Sequence, residues 1–521
     1  MQFRKTWLIS ALSVLLAACG GGGGGSSSAP PPATGGGGGG SQTGFDTGTF
    51  APSSSFRNLC ANPRSGDFPD TQGASADEND WLRSWSNELY LWYDEIEDQD
   101  PTAFATPEYF ELMKTNAITA SGAPKDKFHF TIPTDEWEAL SQSGISAGYG
   151  AELAVVASTP PREVVIAFTS PGTPAAGAGL ARGARILEVD GVDVINGTDT
   201  DTINGGLFPS AAGESHTFLV QEIGASGSRE VTMISAEVTE DPVQFERVIN
   251  TPTGPVGYLF FSSHIATAEA QLVSAMANFQ AAGVTDLILD LRYNGGGFLD
   301  IANELAFMVA GDPASGQVFD EIQFNDKHTV TNPVTGEALS PAVFHEVTQG
   351  FSGASGQALP RLNLPRLFVL ATADTCSASE AIINGLLGIG VDVVLIGSTT
   401  CGKPYGFYPF DNCGTTYFSI QFRGVNAQNF GDYSDGFSPE VGAQVQGTTV
   451  AGCYVEDDYD NALGDEAEGQ LAAALAYIDT ESCPSTATTS ASVTAKRRFT
   501  RNAGDDGAAV RAPRFPGAVL Q

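Results

Sequence analysis

Apolar residues follow three rhythms along the chain, and each predicts a different kind of structure. From Asp77 to about Asn116, Trp81, Leu82, Trp85, Leu89, Tyr90, Trp92 and Tyr93 recur at near-helical spacing, with Tyr109, Phe110 and Leu112 behind them. This predicts a small helical region, 75–138, whose aromatic stripe is core. Between Gly144 and Thr239 short β-rich runs such as Glu163–Phe168 and Arg185–Val189 alternate with Gly and Pro, the pattern of a β-dominated domain, 140–240. From Gly257 to about Asp479 strands (Gly257–Phe261, Asp286–Leu291, Leu367–Ala371, Asp392–Ile396) alternate with helices (Thr267–Ala282, Leu299–Val309, Ala378–Leu387). That alternation predicts an α/β domain, 245–480, with its chemistry on loops at the carboxyl ends of strands.

Outside these segments the rhythms stop. Gly20 to about Ser55 is Gly, Ser, Pro and Thr with few apolar side chains, too little to bury, so 20–58 is expected to be a disordered tether. Ahead of it Arg4 and Lys5 precede an apolar run, Trp7–Leu16, too short to stay in a bilayer as a span. The run ends in Leu16-Ala17-Ala18-Cys19, which resembles the bacterial lipobox. The resemblance implies a signal peptide, 1–19, ending at a lipidated Cys19. It further implies an exported lipoprotein at the periplasmic face of the outer membrane or the cell surface, touching the membrane only through its lipid. Residues 484–521, with Lys496, Arg497, Arg498 and Arg501 among Ala, Thr, Gly and Pro, are expected to be a disordered tail.

Composition narrows the function. A chain of 521 residues, 42% hydrophobic, has material for two or three cores. Its net charge of -36, from 61 acidic and 25 basic residues, excludes nucleic acid as a partner, because phosphate binding needs clustered Lys and Arg. Besides Cys19 there are six cysteines, Cys60, Cys376, Cys401, Cys413, Cys453 and Cys483, an even number that predicts disulfides in an oxidising compartment. Among about 15 possible pairings, Cys401 with Cys413 is expected because the two flank a turn-rich stretch. No CxxC pair or nearby His has ligand spacing, so no metal or other cofactor is expected.

Two segments carry candidate chemistry. Asp290-Leu-Arg-Tyr-Asn-Gly-Gly-Gly-Phe-Leu299 breaks a strand into three glycines ahead of a helix, leaving backbone N–H groups able to receive an oxyanion. A plain turn needing positive φ explains the glycines equally well. Ala373-Asp-Thr-Cys-Ser-Ala-Ser-Glu380 leaves a strand and enters a helix, placing Ser377 where the helix dipole favours developing negative charge. The Ser377–Glu380 spacing is also that of a capping box, which needs no catalysis. Lysine scarcity tips the balance. Of seven lysines only Lys327 and Lys403 lie between Gly257 and Asp479, and Lys403 directly follows the strand after the Ser377 helix. Its Gly, Pro and aromatic neighbours suit an amine whose pKa is lowered by desolvation, as a general base requires.

Further resemblances follow from these residues. Ser170-Pro-Gly-Thr-Pro-Ala-Ala-Gly-Ala-Gly-Leu180 with Ile186-Leu-Glu-Val-Asp-Gly191 resembles the PDZ signature of bacterial proteases. Tyr149, Gly150 and Ala151 then stand where such domains bind a peptide's carboxylate. Arg292-x-Asn294-x-Gly296-Gly297, Ser377-Ala-Ser-Glu380 and Gly402-Lys403, in this order behind that domain, resemble the C-terminal processing (tail-specific) peptidases, from about Asp77 to Asp479. The resemblance implies an α/β, overall α+β multidomain, chain with a ClpP/crotonase-like protease core, a β-rich PDZ domain and the small helical region. It implies a Ser/Lys dyad of Ser377 and Lys403, an oxyanion hole from Gly296 or Gly297 with Ala378, and polypeptides with unstructured C-termini as substrates. Two positions depart from the family: Phe407 replaces a Gln that helps hold the lysine, and the Ser-to-Lys separation is one residue longer. A non-catalytic peptide-binding lipoprotein of the same fold is the alternative. A crotonase-like acyl-CoA enzyme lacks an evident nucleotide-binding segment here, and none of His129, His216, His264, His328 and His345 sits in a triad motif.

Overall fold

The computed structural model describes residues 45–442 and 447–484, with the backbone of 518–519. The expected signal peptide, Cys19, most of the tether and nearly all of the expected tail lie outside the described residues. Within them, no helix is long and apolar enough to cross a membrane. Residues 47–58, which composition assigns to the tether, are held in place instead. Ser53 donates its N–H and hydroxyl to Glu88 (2.8 and 2.5 Å), and Thr49 O accepts from Arg83 (3.0 Å).

The aromatic stripe is core. Helix α1 (Ser75–Leu89) buries Trp81, Leu82 and Trp85 against Tyr109 and Phe110 of α2 (Thr106–Leu112). Trp81 and Trp85 stack with ring centroids 5.1 Å apart. Beyond α2, strand β1 (Phe130–Pro133) pairs antiparallel with the distant strand Thr415–Phe418, so the N-terminal region is built into the α/β core rather than appended to it. Helix α3 (Thr134–Ser143) follows and ends at Gly144 in the left-handed conformation.

The β-dominated region forms a sheet of order β6-β5-β4-β3-β2, from β2 (Ala151–Ala157), β3 (Glu163–Thr169), β4 (Arg185–Val189), β5 (Ser215–Gln221) and β6 (Arg229–Ile234). Helix α4 (Thr200–Leu207) closes one face, packing Ile203 and Leu207 with Val189 and Phe218. On the other face Ala154, Val156, Val165 and Ala167 join the core of the following domain.

That domain is a mostly parallel sheet, order β7-β8-β9-β11-β12-β16-β15, of β7 (Phe245–Thr251), β8 (Gly254–Phe260), β9 (Asp286–Asp290), β11 (Arg366–Ala371), β12 (Asp392–Gly397), β16 (Thr448–Tyr454) and β15 (Phe437–Val441). A smaller sheet contains β10 (Val318–Phe324), β14 (Phe422–Val425) and β13 (Tyr405–Phe407). Strand β9 reads as an unbroken apolar run because both of its faces are covered. Leu287 and Leu289 meet α5 (Ala268–Ala282), α6 (Leu299–Ala310) and α7 (Ala378–Gly388), while Ile288 meets α8 (Gly469–Thr480).

Arg292, expected as part of a functional strand end, is a buried structural tie. It binds Asp290 (2.6 Å), Glu468 (2.7 Å) and Asp457 (2.9 Å), and Asp457 also binds Arg182 of the β-domain (2.6 Å). The disulfides are Cys60–Cys413, Cys376–Cys401 and Cys453–Cys483, which corrects the expected Cys401–Cys413 pair. The hairpin holding Cys413 pairs with β1 and is carried toward Cys60. Cys401 instead stays at the head of α7, beside Cys376.

Candidate active site

The glycine turn is shaped by Asn294. Its Oδ1 accepts the Gly296 N–H (3.0 Å), its Nδ2 donates to Phe261 O (3.0 Å), and its carbonyl accepts the Cys376 N–H (3.1 Å) and the Ser379 hydroxyl (3.1 Å). The turn is thereby pressed against the head of α7. A Cβ on Gly296, at φ +103°, would stand 2.9 Å from Ser377 Cβ and 3.1 Å from Ala378 N, and one on Gly297 would stand 2.3 Å from His264 O. Close approach, not turn geometry alone, requires glycine at both positions. The Gly296 N–H is engaged by Asn294, so of the two expected glycines this one has its donor already committed.

Ser377 joins β11 to α7 with φ +61° and ψ -111°, a backbone region that a non-glycine residue occupies only when its surroundings enforce it. Glu380 accepts the Ser377 N–H at 3.0 Å, which is the glutamate half of a capping box. The serine half is withheld: Oγ is buried, with no hydrogen-bond partner among the described residues. A hydroxyl at a helix N-terminus with its capping duty unmet is available for other chemistry.

Lys403 reaches the same place because β11 and β12 are adjacent and parallel, joined through α7, so the loops leaving their ends lie side by side. Glu380 fastens them together. Its Oε2 accepts the Lys403 N–H (2.8 Å) as well as that of Ser377, while Oε1 accepts the Gly402 N–H (2.8 Å) and the Thr400 hydroxyl (2.5 Å). Sharing one acceptor atom puts the Ser377 and Lys403 backbone nitrogens within about 6 Å of each other. The disulfide Cys376–Cys401 ties the same two segments, with Cα atoms 5.1 Å apart.

The Lys403 side chain is 1% exposed, and its amine lies 4.2 Å from the Phe407 ring centre and 4.8 Å from that of Phe128. Burial holds the amine well below the usual lysine range, against the opposing pull of Asp126 and Glu380. Phe407 therefore supplies a dry apolar wall beside the amine. Ser377 and Lys403 line one cavity with Leu299, Ala381, Tyr405 and Tyr433. Asp320 lines it too, its carboxyl pushed up to about 7 by burial.

Several residues at this site carry no signal in the sequence reading. Asp126, Lys127 and Phe128 come from the N-terminal region: Asp126 accepts from the Tyr90 hydroxyl (2.7 Å) and the Phe128 N–H (2.9 Å), and Lys127 Nζ donates to Cys401 O (2.7 Å). Lys127 lies outside the 257–479 stretch whose lysine scarcity singles out Lys403, with Lys114 and Lys125 close by in sequence, so scarcity does not point to this segment. Glu380, legible only as a cap, is the organising carboxylate. His264 is tied to Asn294 Oδ1 (2.9 Å) and held down to about 4 by burial, hence neutral. Cys376, Glu380 and Cys401 bring three possible ligand atoms within 4.8 Å, but the two sulfurs are bonded to each other and offer no thiolate to a metal.

In the β-domain, Tyr149 and Gly150 form the turn into the edge strand β2, which begins at Ala151. Tyr149 is buried, with its hydroxyl on Gly206 O (3.0 Å). Gly150 has φ +70°, and a Cβ there would stand 2.4 Å from Thr173. Strand β2 pairs antiparallel with β3 at the end of the sheet order.

Residues 255–411 match the family model "Peptidase family S41", and residues 140–205 match "PDZ domain". Over 270 residues the chain is 26% identical to a carboxyl-terminal-processing protease of Picosynechococcus sp., covering 51% of this chain and 56% of that one. It is 28% identical over 270 residues to one of Synechocystis sp., covering 51% and 54%. The matched region thus spans about half the length of these curated relatives. A solved S41 protease structure from Bacteroides fragilis aligns with TM-score 0.56 at 24% identity, over 80% of this chain and 100% of that one, a likeness of fold.

Proposed function

We propose that the chain is a PDZ-containing member of peptidase family S41, a serine endopeptidase whose nucleophile is Ser377 and whose general base is Lys403. One observation carries this reading: a strained serine with an unengaged buried hydroxyl shares a cavity with a desolvated lysine, and one carboxylate anchors both. Neutral Lys403 takes the Ser377 proton as Oγ attacks a peptide carbonyl, and water then releases the acyl-enzyme. The oxyanion is received by the Ala378 N–H at the head of α7 and by the Gly297 N–H. The bridge to His264 uses the Gly296 carbonyl and the Phe298 N–H, which turns the Gly297 N–H to the other side of the strand.

The substrate is an extended, unfolded polypeptide. Strand β13 starts two residues after Lys403, and the chain's own Ala518–Val519 pairs in parallel with its Gly406 and Phe407, which supports strand addition as the mode of capture beside the dyad. Strand β2, entered through Tyr149, Gly150 and Ala151, is the corresponding site for a substrate tail in the PDZ domain. An exported protein anchored through Cys19 fits three disulfides, which persist in oxidising compartments. Mass spectrometry of the mature N-terminus tests that part.

The activity is tested by incubating the full chain, Ser377→Ala and Lys403→Ala with unfolded proteins and identifying products by mass spectrometry. Loss of cleavage in both variants is the expected result, and equal cleavage by all three proteins rules out the dyad. Phe407 in place of a hydrogen-bonding residue favours the alternative, a non-catalytic peptide-binding protein, for which none of the three cleaves.

A further inference from the structure

The loop from Ser398 to Pro404 brings the base to the nucleophile, yet it has no helix or strand of its own. Two kinds of bond hold it at the head of α7. One is the Glu380 carboxylate, a charged group in a dry place whose burial pushes its pKa up, so its grip comes with a desolvation cost. The other is neutral and covalent. Cys376 immediately precedes Ser377, Cys401 lies two residues before Lys403, and their disulfide spans the gap between the two functional segments.

We propose that the Cys376–Cys401 disulfide is the clamp that registers Lys403 against Ser377, so that peptidase activity depends on this bond being closed. Both cysteines act as positioning residues, and the inference rests on the Ser377/Lys403 reading above. Opening the bond has a definite steric consequence. Two thiols need van der Waals separation where a bonded pair does not, so the two sulfurs part by on the order of 1 to 2 Å and the segments they tied are no longer held in register. The Cys376 side has nowhere to go. Asn294 O holds the Cys376 N–H (3.1 Å), and Gly296 is packed so tightly that even a methyl group there would lie 3.0 Å from Cys376 O. The movement falls on Cys401 to Lys403, which lie in a loop with no helix or strand of its own and whose ties include the Glu380 bonds, the Cys401 N–H on Thr375 O (3.0 Å), Lys127 on Cys401 O (2.7 Å) and the packing of Gly402 against Ser434. Displacing the loop both misaligns the base and lets water reach its amine.

The chemistry of opening balances with a small dithiol as reductant. One thiolate of the dithiol attacks Sγ of Cys401, the more exposed of the two residues, since Cys376 is 5% exposed and Cys401 half-buried. The Cys376–Cys401 bond breaks, Cys376 leaves as thiolate and takes a proton, and the mixed disulfide is resolved by the reductant's second thiol. Two electrons and two protons pass to the protein, and the reductant becomes a cyclic disulfide. Air reoxidation reverses the change.

The test compares wild type, Cys376→Ala/Cys401→Ala and a control, Cys453→Ala/Cys483→Ala, each before and after dithiothreitol. It reads kcat, KM, the pH profile and the rate of Ser377 labelling by a fluorophosphonate probe. The expected result is a folded double variant with kcat and labelling lower on the order of 10- to 100-fold and KM little changed. Its acid limb moves to higher pH as Lys403 is rehydrated, a shift that loss of fold stability alone does not produce. Dithiothreitol imposes the same loss on wild type and the control and adds nothing to the double variant. Wild-type kcat and pH profile in the double variant overturn the proposal. If that variant does not fold, alkylation mapping of partly reduced wild type decides: loss must track Cys376 and Cys401, and loss tracking another pair overturns it. A wild type that neither cleaves nor labels refutes the dyad itself, and with it the clamp.

Discussion

Replacing Gly296 by alanine isolates the contact between the glycine turn and the nucleophile. The added Cβ meets Ser377 Cβ at 2.9 Å, Cys376 O at 3.0 Å and Ala378 N at 3.1 Å, against about 3.5–4.0 Å for relaxed contact. Turn and helix head must therefore separate by roughly 0.5–1 Å, and a shift of that order at a reacting group costs about 100-fold in rate. Stability falls as well, through about 1–3 kcal/mol of backbone strain at φ +103° and about 1–3 kcal/mol of overpacking. Gly283→Ala is the matched control: it closes α5 at φ +65° with nothing within 4 Å of its Cβ position, so it carries the backbone penalty of about 1–2 kcal/mol alone. The assay pairs urea midpoints with the rate of Ser377 phosphonylation. Gly296→Ala is expected to lose about 100-fold in labelling, while Gly283→Ala keeps it within twofold. A Gly296→Ala enzyme that labels within threefold of wild type refutes the argument that this turn fixes the nucleophile.

Three further outcomes follow from the buried ionisable groups. Lys403→Met abolishes turnover yet raises stability at neutral pH: the folded pKa lies below the unfolded value, the unfolded chain binds more protons in that window, and wild-type stability climbs with pH. The urea-midpoint gap between the two proteins therefore narrows as pH approaches 10.5, and a gap independent of pH contradicts a neutral amine. Arg292→Met strands Asp290, Glu468 and part of the Asp457 environment without their shared cation, and a loss of about 3–5 kcal/mol in denaturant unfolding is expected. Glu304, pushed up to about 9 mainly by burial with Glu269 adding to it, holds its proton more tightly when folded. Its contribution is complete below about 4.5 and is lost as pH rises toward 9, and Glu304→Gln should flatten that decline in a melting series.

Strands β8, β9, β11 and β12 and helices α5, α6 and α7 were legible because burial on both faces of the central sheet writes apolar runs too strong for local context to blur, whereas β7, β15, β16 and α8 were not expected. Strand β9 and its neighbour β11 appear within a residue of their expected limits. Strand β1 was not, since four residues with half-buried alternation carry little periodicity and their partner lies about 280 positions away. The disulfides failed for a related reason. Nearness in sequence favoured Cys401–Cys413, whereas pairing follows the sheets, and the hairpin after β13 turns Cys413 toward the N-terminal region. Asp126 and Phe128 reach Lys403 through that same unforeseen attachment. The extra residue between Ser377 and Lys403 needs no distortion of the strands, because α7 ends at Gly388 and Gly390 turns at φ +80° before β12.

The capping box posed as the rival of the nucleophile in the Ser377–Glu380 spacing turns out to be its support. A serine that capped α7 with its own hydroxyl would have that oxygen engaged by a helix N–H and unavailable for attack. Here the carboxylate takes the backbone N–H of Ser377 and extends its other bonds across the gap to Thr400, Gly402 and Lys403. The same atoms that end the helix therefore fix the distance between two loops that no strand connects directly. Capping and catalysis are separable by substitution at one position: Glu380→Ala removes every one of those acceptor bonds, so it should loosen the lysine loop even where the helix persists, whereas a purely local cap would leave Ser377 labelling unchanged.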